Sequence, residues 1–391
     1  MFTALIFLLI LSLLVLIHEA GHFFVAKKLG IKVEEFGFGL PLTKALFSVK
    51  RGETRYSFYP ALIGGFVKLY GEDEAGAGRL KIKDQRSNIK DASRAFFSRS
   101  LGQRAAVILA GVIMNTVLAV VIYYTFLGIS NFRTEIPLIS EYKFFAVNQQ
   151  IKTEIIISGV AKNSPAEKAG MKPLSKIVSV NGQKVTNIDS FIAFIKNHKG
   201  NPVVLEWTDV KTNIKSQATM TPRVNPPKNE GALGIGFFPA ELAVLSYDTP
   251  TQKLFSGFTH PANMMGYSFD VMGQLVKASF KEKTVEPVSQ GVSGPVGIYS
   301  VVGDTLSIPD MKERILKLLD LMGLLSISLA FFNVLPIPGL DGGRLFFILI
   351  EAVTRRKLNP KFEATANAIG MALLIGLIIL VTFKDIGQIF K

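Results

Sequence analysis

Long uncharged apolar runs alternate along the chain with segments whose polar and apolar residues change places every second or third position. Residues 2–17, FTALIFLLILSLLVLI, carry no charge, and apolar character resumes after residue 22 and lasts until Lys27 and Lys28. About 25 helical residues at about 1.5 Å each suffice to cross roughly 30 Å of hydrocarbon. The run is too long, and too poor in basic residues at its start, for a cleaved leader, so a retained span is expected. Residues 105–129, 321–340 and 366–383 give three further spans, and residues 345–350, too short to cross alone, open a helix lying near the surface. Residues 36–69 read as short strands with a turn over Lys50 to Glu53, followed by an edge-strand candidate at 64–72.

A compact α+β unit is expected over 150–225: a strand at 154–160, a capped short helix within 163–170, a strand at 177–180 leading into an Asn181-Gly182 turn, a helix at 189–197, and strands near 202–208 and 214–221. The organisation is then an N-terminal membrane domain (1–130), this inserted domain (150–225), a connector (226–315) that is extracytoplasmic or membrane-associated, and a C-terminal membrane domain (316–391). The fold class is a polytopic α-helical membrane protein of four spans with a small β-element and an inserted α+β domain.

Composition narrows the function. Among 391 residues, 49 % are apolar, which excludes a disordered polyelectrolyte, and the absence of Cys excludes disulfide-stapled frameworks and Cys-ligated zinc or iron-sulfur sites. The net charge of +14 would suit nucleic acid or a membrane protein with basic cytoplasmic loops, and its placement favours the second. Lys27, Lys28, Lys32, Lys44, Arg86, Lys90, Arg94, Arg99 and Arg104 lie between the first two spans, and Arg344, Arg355, Arg356, Lys357 and Lys361 between the last two. Only Arg133, Lys143, Lys312, Arg314, Lys317, Lys384 and Lys391 flank the other side. The middle segment and both chain ends are therefore expected outside the cytoplasm, and no nucleic-acid partner is expected.

The chemistry sits in the first apolar run. His18-Glu19-Ala20-Gly21-His22 is HExxH on a helix, so the two imidazoles share one face and can reach one metal, while Glu19, about 100° round the helix, can touch water there without being a ligand. In a soluble helix such a pattern is mostly a solvated face. Within an apolar span ionisable groups are costly, and function is the default reading. A catalytic zinc site needs a third protein ligand and an open position. The other histidines, His198 and His260, lie in the extracytoplasmic region, so a carboxylate at membrane depth is required. Asp341 in Asn333-Val-Leu-Pro-Ile-Pro-Gly-Leu-Asp-Gly-Gly is the candidate, at the end of the third span, where two prolines break the helix and two glycines permit close backbone approach. Its plain alternative is an ordinary turn. Spans one and three run in the same direction, which brings the three ligands to similar depth.

These motifs, with the inserted domain between spans two and three, resemble the site-2 protease family of intramembrane zinc metalloproteases, in the bacterial regulated-intramembrane-proteolysis form with one PDZ domain. The resemblance covers almost the whole chain. It implies Zn2+ held by His18, His22 and Asp341, with Glu19 as general base. It also implies substrates that are single-pass membrane proteins already shortened by another protease, such as anti-sigma factors or signal-peptide remnants, and a location in the bacterial inner membrane. By the same resemblance the β-element dips into the membrane and holds an unwound substrate as an added strand along Gly65, Phe66 and Val67, against the plainer reading of a cytoplasmic hairpin. Asn115, in a Gly-x-x-x-Asn pattern, is either a substrate contact or a helix-packing amide, and Asn333 resembles the family's substrate-binding Asn. The 150–225 unit resembles a circularly permuted PDZ domain, whose groove would either capture peptide ends or filter intact ectodomains by size. A metal or proton transporter is disfavoured because one cluster at one depth offers no relay, and a silent scaffold because a structural zinc site needs no base.

Overall fold

The structure is a computed structural model. It describes residues 2–72, 93–210, 212–228, 230–356 and 358–389; Arg86, Lys90, Lys357 and Lys391 of the charge count lie outside the described residues. In chain order, α1 (Phe2–Lys28) is followed by β1 (Val33–Leu40), β2 (Phe47–Arg51), β3 (Thr54–Phe58), β4 (Ala61–Leu69) and α2 (Leu101–Ile129). Next come β5 (Arg133–Leu138), β6 (Asn148–Val160), α3 (Pro165–Lys168), β7 (Ser175–Val180), β8 (Gln183–Lys184), α4 (Ile188–Asn197), β9 (Val203–Asp209), β10 (Lys215–Met220) and β11 (Ile235–Ser246). The chain closes with α5 (Pro250–Glu282), α6 (Glu286–Gly291), α7 (Pro295–Leu306), α8 (Met311–Phe332), α9 (Asp341–Thr354) and α10 (Pro360–Ile389). Two compact units result, one of residues 1–123, 272–302 and 320–391, the other of residues 124–271 and 303–319.

Among the described residues, α1, α2, α8 and α10 are the helices long and apolar enough to cross a membrane, by length and composition. The third starts ten residues and ends eight residues before its expected bounds: the helix is Met311–Phe332, not 321–340. At its start Asp310 Oδ1 accepts the Glu313 N–H at 2.7 Å, and Lys312, Glu313, Arg314 and Lys317, which interrupt the apolar run, are good helix formers. At its end Pro336 and Pro338 supply no N–H and cannot continue the ladder. Asp341 therefore does not end this helix. It opens the following helix, α9, which also contains residues 345–350.

In the first unit a four-stranded sheet has the order β2-β3-β1-β4, with β1 and β3 parallel and the other pairs antiparallel. The β2–β3 hairpin turns at Gly52, whose φ of +64° suits a residue without Cβ. β4 is an edge strand, and Val33 and Leu69 bury with Ala26, Phe96, Val107 and Ile348 in one apolar cluster.

The second unit is built on a sheet ordered β10-β9-β7-β6-β11-β5, with β8 on β7. The strand expected at 154–160 starts at Asn148, and β11, from the segment read as connector, pairs along it. The core gathers Ile157, Ile177, Leu205 and Trp207 from the strands with Phe191 and Ile195 from α4. Both short helices carry side-chain caps, Ser164 Oγ accepting from Glu167 N at 3.1 Å and Asn187 Oδ1 from Asp189 N at 2.7 Å. Positive φ at Asn181 and Gly182 makes the expected turn.

Candidate metal centre

One turn of α1 separates His18 from His22, and two glycines let their face meet α2. A Cβ on Gly21 would lie 2.3 Å from Ala110 O, so the helices approach there to backbone contact. A Cβ on Gly111 would lie 2.5 Å from His22 Nε2, so the imidazoles occupy the space that a side chain would fill. Asp341 arrives from α9. The intervening loop packs on α10, where Gly339 donates its N–H to Asn367 Oδ1 at 3.1 Å and a Cβ on Gly370 would meet Pro338 O at 1.9 Å. A Cβ on Gly342 would lie 2.0 Å from Leu335 O, so the Asp-Gly-Gly run serves a close helix-to-loop approach rather than an ordinary turn. At the first turn of α9, orphan N–H groups and the helix dipole also favour a carboxylate.

These constraints bring three donors together. His18 Nε2 and His22 Nε2 lie 2.9 and 3.2 Å from Asp341 Oδ2 and 3.1 Å from each other. A tetrahedral zinc at roughly 2.0–2.1 Å from each ligand needs donors about 3.3 Å apart. The set is thus close to the edge length required, and two imidazoles with one carboxylate suit that ion. His22 Nδ1–H donates to Val107 O at 2.8 Å, which leaves Nε2 as a bare lone pair aimed at the centre. Behind His18 lies Asn115, fully buried, with Nδ2 3.2 Å from His18 Nδ1 and Oδ1 without a hydrogen-bond partner.

A cavity of about 370 Å³ opens beside the donors, lined by Glu19, His22 and Asp341 and by the apolar Phe66, Val67 and Met371. Gly65 comes close as well, since a Cβ there would be 3.8 Å from Glu19 Cγ. Thus Glu19 and the edge strand β4 face the same space. Asn115 and Asn333 are not among its lining residues; Asn333 is buried, and its N–H makes a last helical bond to Leu329 O. Sequence reasoning missed the Arg344–Glu72 ion pair at this cavity and also Met371. Arg344 follows Asp341 by three residues, one helical turn, and that spacing was the available signal.

The sequence profile of Peptidase family M50 matches residues 6–377. The chain belongs to that family. Relatives align along nearly their whole lengths: a chain of Clostridium perfringens provisionally named a zinc metalloprotease is 34 % identical, covering 97 % of both chains. The zinc metalloprotease RasP of Shouchella clausii is 28 % identical over 100 % of both, and RasP of Geobacillus kaustophilus is 27 % identical over 98 % of this chain and 97 % of its own. The resemblance to site-2 proteases read from HExxH and the Asp341 segment therefore stands: this M50 chain is a metalloprotease, and zinc is the cofactor expected of it.

Proposed function

We propose that this M50 chain is an intramembrane zinc endopeptidase that hydrolyses peptide bonds within the membrane segments of single-pass proteins. The observation that carries the reading is the meeting of His18 and His22, on a helix of span length, with Asp341 at the start of α9, beside a cavity that Glu19 shares with an edge strand. His18, His22 and Asp341 would hold the ion. Zinc, when bound, would polarise a scissile carbonyl and lower the pKa of water toward neutrality. Glu19 takes the proton from the attacking water and returns it to the leaving amine. Since a peptide bond in an intact helix is shielded, the substrate unwinds and adds to β4 along Gly65, Phe66 and Val67, where main-chain bonds replace those of the helix.

The remaining architecture follows the same proposal. The four helices span a bacterial inner membrane, with the active site toward the cytoplasm, and the 150–225 unit is an extracytoplasmic PDZ domain. A groove of about 350 Å³ between α4 and the start of β11, lined by Phe191, Ile195, Leu233 and Phe237, supports that assignment. It would receive extended chain or exclude bulky ectodomains, so substrates would arrive already shortened by another protease.

The test is cleavage of tagged single-pass proteins with short and long ectodomains by the purified full chain in detergent. Wild type should cut within the span and favour short ectodomains. Glu19→Gln should keep zinc and lose activity by about 10²- to 10⁴-fold. Retained cleavage in that variant would remove Glu19 from the mechanism.

A further inference from the structure

The two histidines of the donor set are supported differently on the side away from the metal. His22 Nδ1 faces the Val107 carbonyl at 2.8 Å, and a carbonyl can only accept. That fixes the proton on Nδ1 and leaves Nε2 free to ligate. His18 Nδ1 faces an amide, which can give or take a proton bond according to which end is presented. As the side chain stands, Asn115 Nδ2 donates to His18 Nδ1 at 3.2 Å, and that pairing goes with a proton on Nε2, which donates to Asp341 Oδ2 at 2.9 Å. A metal on His18 Nε2 demands the other tautomer, with Nδ1–H as donor. It would then oppose an NH2 group, donor against donor, at a fully buried position.

The same side chain holds the remedy. Asn115 Oδ1 is buried and has no hydrogen-bond partner. Half a turn about the Cβ–Cγ bond exchanges the amide ends, which are nearly equal in size, and puts this acceptor on His18 Nδ1. The position of Asn115 is meanwhile held from a separate element, since Ser326 Oγ on α8 donates to the Asn115 backbone carbonyl at 2.8 Å. An apolar residue here could pack, but it would offer Nδ1–H nothing, and a buried unpaired donor is costly.

We infer that Asn115 is a positioning residue that selects the metal-binding tautomer of His18, its amide oxygen accepting from Nδ1–H when Nε2 ligates zinc. This replaces the substrate-contact role weighed for Asn115 from the sequence, and it rests on the zinc site proposed above. Loss of a partner of this kind lowers metal affinity by about 10- to 100-fold.

Zinc affinity is measured on the full chain in detergent by competition with a chromophoric chelator, for wild type, Asn115→Leu and Asn115→Asp, with thermal unfolding of each in excess chelator. Asn115→Leu should bind zinc about 10- to 100-fold more weakly. Asn115→Asp, which when ionised can only accept, should match or exceed wild type, a rescue that a packing role would not give. The inference is overturned if Asn115→Leu binds zinc as tightly as wild type, or if Asn115→Asp loses affinity as much as the leucine variant does. Should the leucine variant fail to fold, the aspartate variant decides alone: affinity tenfold below wild type refutes the role. If wild type itself binds no zinc, the site assignment fails and the inference with it. If wild type binds one zinc and the variants do not differ, only the inference fails.

Discussion

Gly111→Ala tests how far the donor set depends on the crossing of α1 and α2. The new Cβ would lie 2.5 Å from His22 Nε2 and 2.7 Å from His18 Cε1, where ordinary contact starts at 3.4 Å. Relief requires a shift of about 0.9 Å, against the roughly 0.5 Å within which a metal constellation must be held. Neither helix can supply it readily. Gly21 already brings α1 onto the Ala110 carbonyl, and His22 is tied through Nδ1 to Val107 O. The displacement therefore falls on the ligating nitrogens. Zinc affinity should drop at least about tenfold and turnover about 100-fold, with overpacking costing about 1–3 kcal/mol of stability. Gly128→Ala is the control: it lies on the same helix, its Cβ meets nothing within 4 Å, and it should be neutral or stabilising by up to about 1 kcal/mol. Both variants are assayed for zinc content, cleavage of a single-pass substrate and thermal unfolding in detergent. If Gly111→Ala keeps wild-type zinc and activity, the helix crossing does not set the geometry of the site.

Gly370→Ala would set a Cβ 1.9 Å from Pro338 O, a backbone atom that cannot swing aside. It should destabilise the first unit by about 1–3 kcal/mol and reduce zinc content through Asp341, while Gly376→Ala, with nothing within 4 Å, should do neither. In the second unit, burial holds the imidazole of His260 down at about 4 from 6.5, and its Nδ1 accepts from the Tyr247 hydroxyl at 3.0 Å. Between those two values the unfolded chain binds more protons, so this stabilisation is complete above pH 6.5 and falls toward pH 4 by about 3 kcal/mol. Protection of β5 and α5 amides in the full chain, corrected for the intrinsic exchange rate at each pH, should therefore fall as the pH drops through that window, and the dependence should flatten in His260→Phe. Equal pH dependence in the two proteins would contradict the assignment.

What the sequence revealed of the site and what it hid have separate physical origins. HExxH is legible because its chemistry is local: residues four apart share a helix face whatever the tertiary fold. Asp341 could be named because a carboxylate beside two prolines and two glycines is costly at membrane depth without a task. The turn at Gly52 and the edge position of β4 also follow from local patterning. The third candidate span was misplaced because an apolar run marks where lipid is tolerated, whereas a helix ends where its N–H groups are missing; Lys312 to Lys317 lie inside the helix and Pro336 beyond it. The purposes of Gly21 and Gly111, and the place of Asn115 behind His18, depend on which helices touch. No periodicity within one segment reports that.

His18 and Asp341 are 323 positions apart, yet their side chains touch. At about 5–20 residues per second, synthesis reaches the aspartate roughly 15 to 65 s after the histidines. Throughout that interval the nascent first helix carries HExxH without its third ligand and, until residue 111 emerges, without the glycine surface on which the rings rest. On the proposed ligand set, a chain that ends before residue 341 would lack the third donor. On that ligand set the donor triad would be complete only with the last eighth of the polypeptide, so the long spacing would tie hydrolytic competence to the end of synthesis.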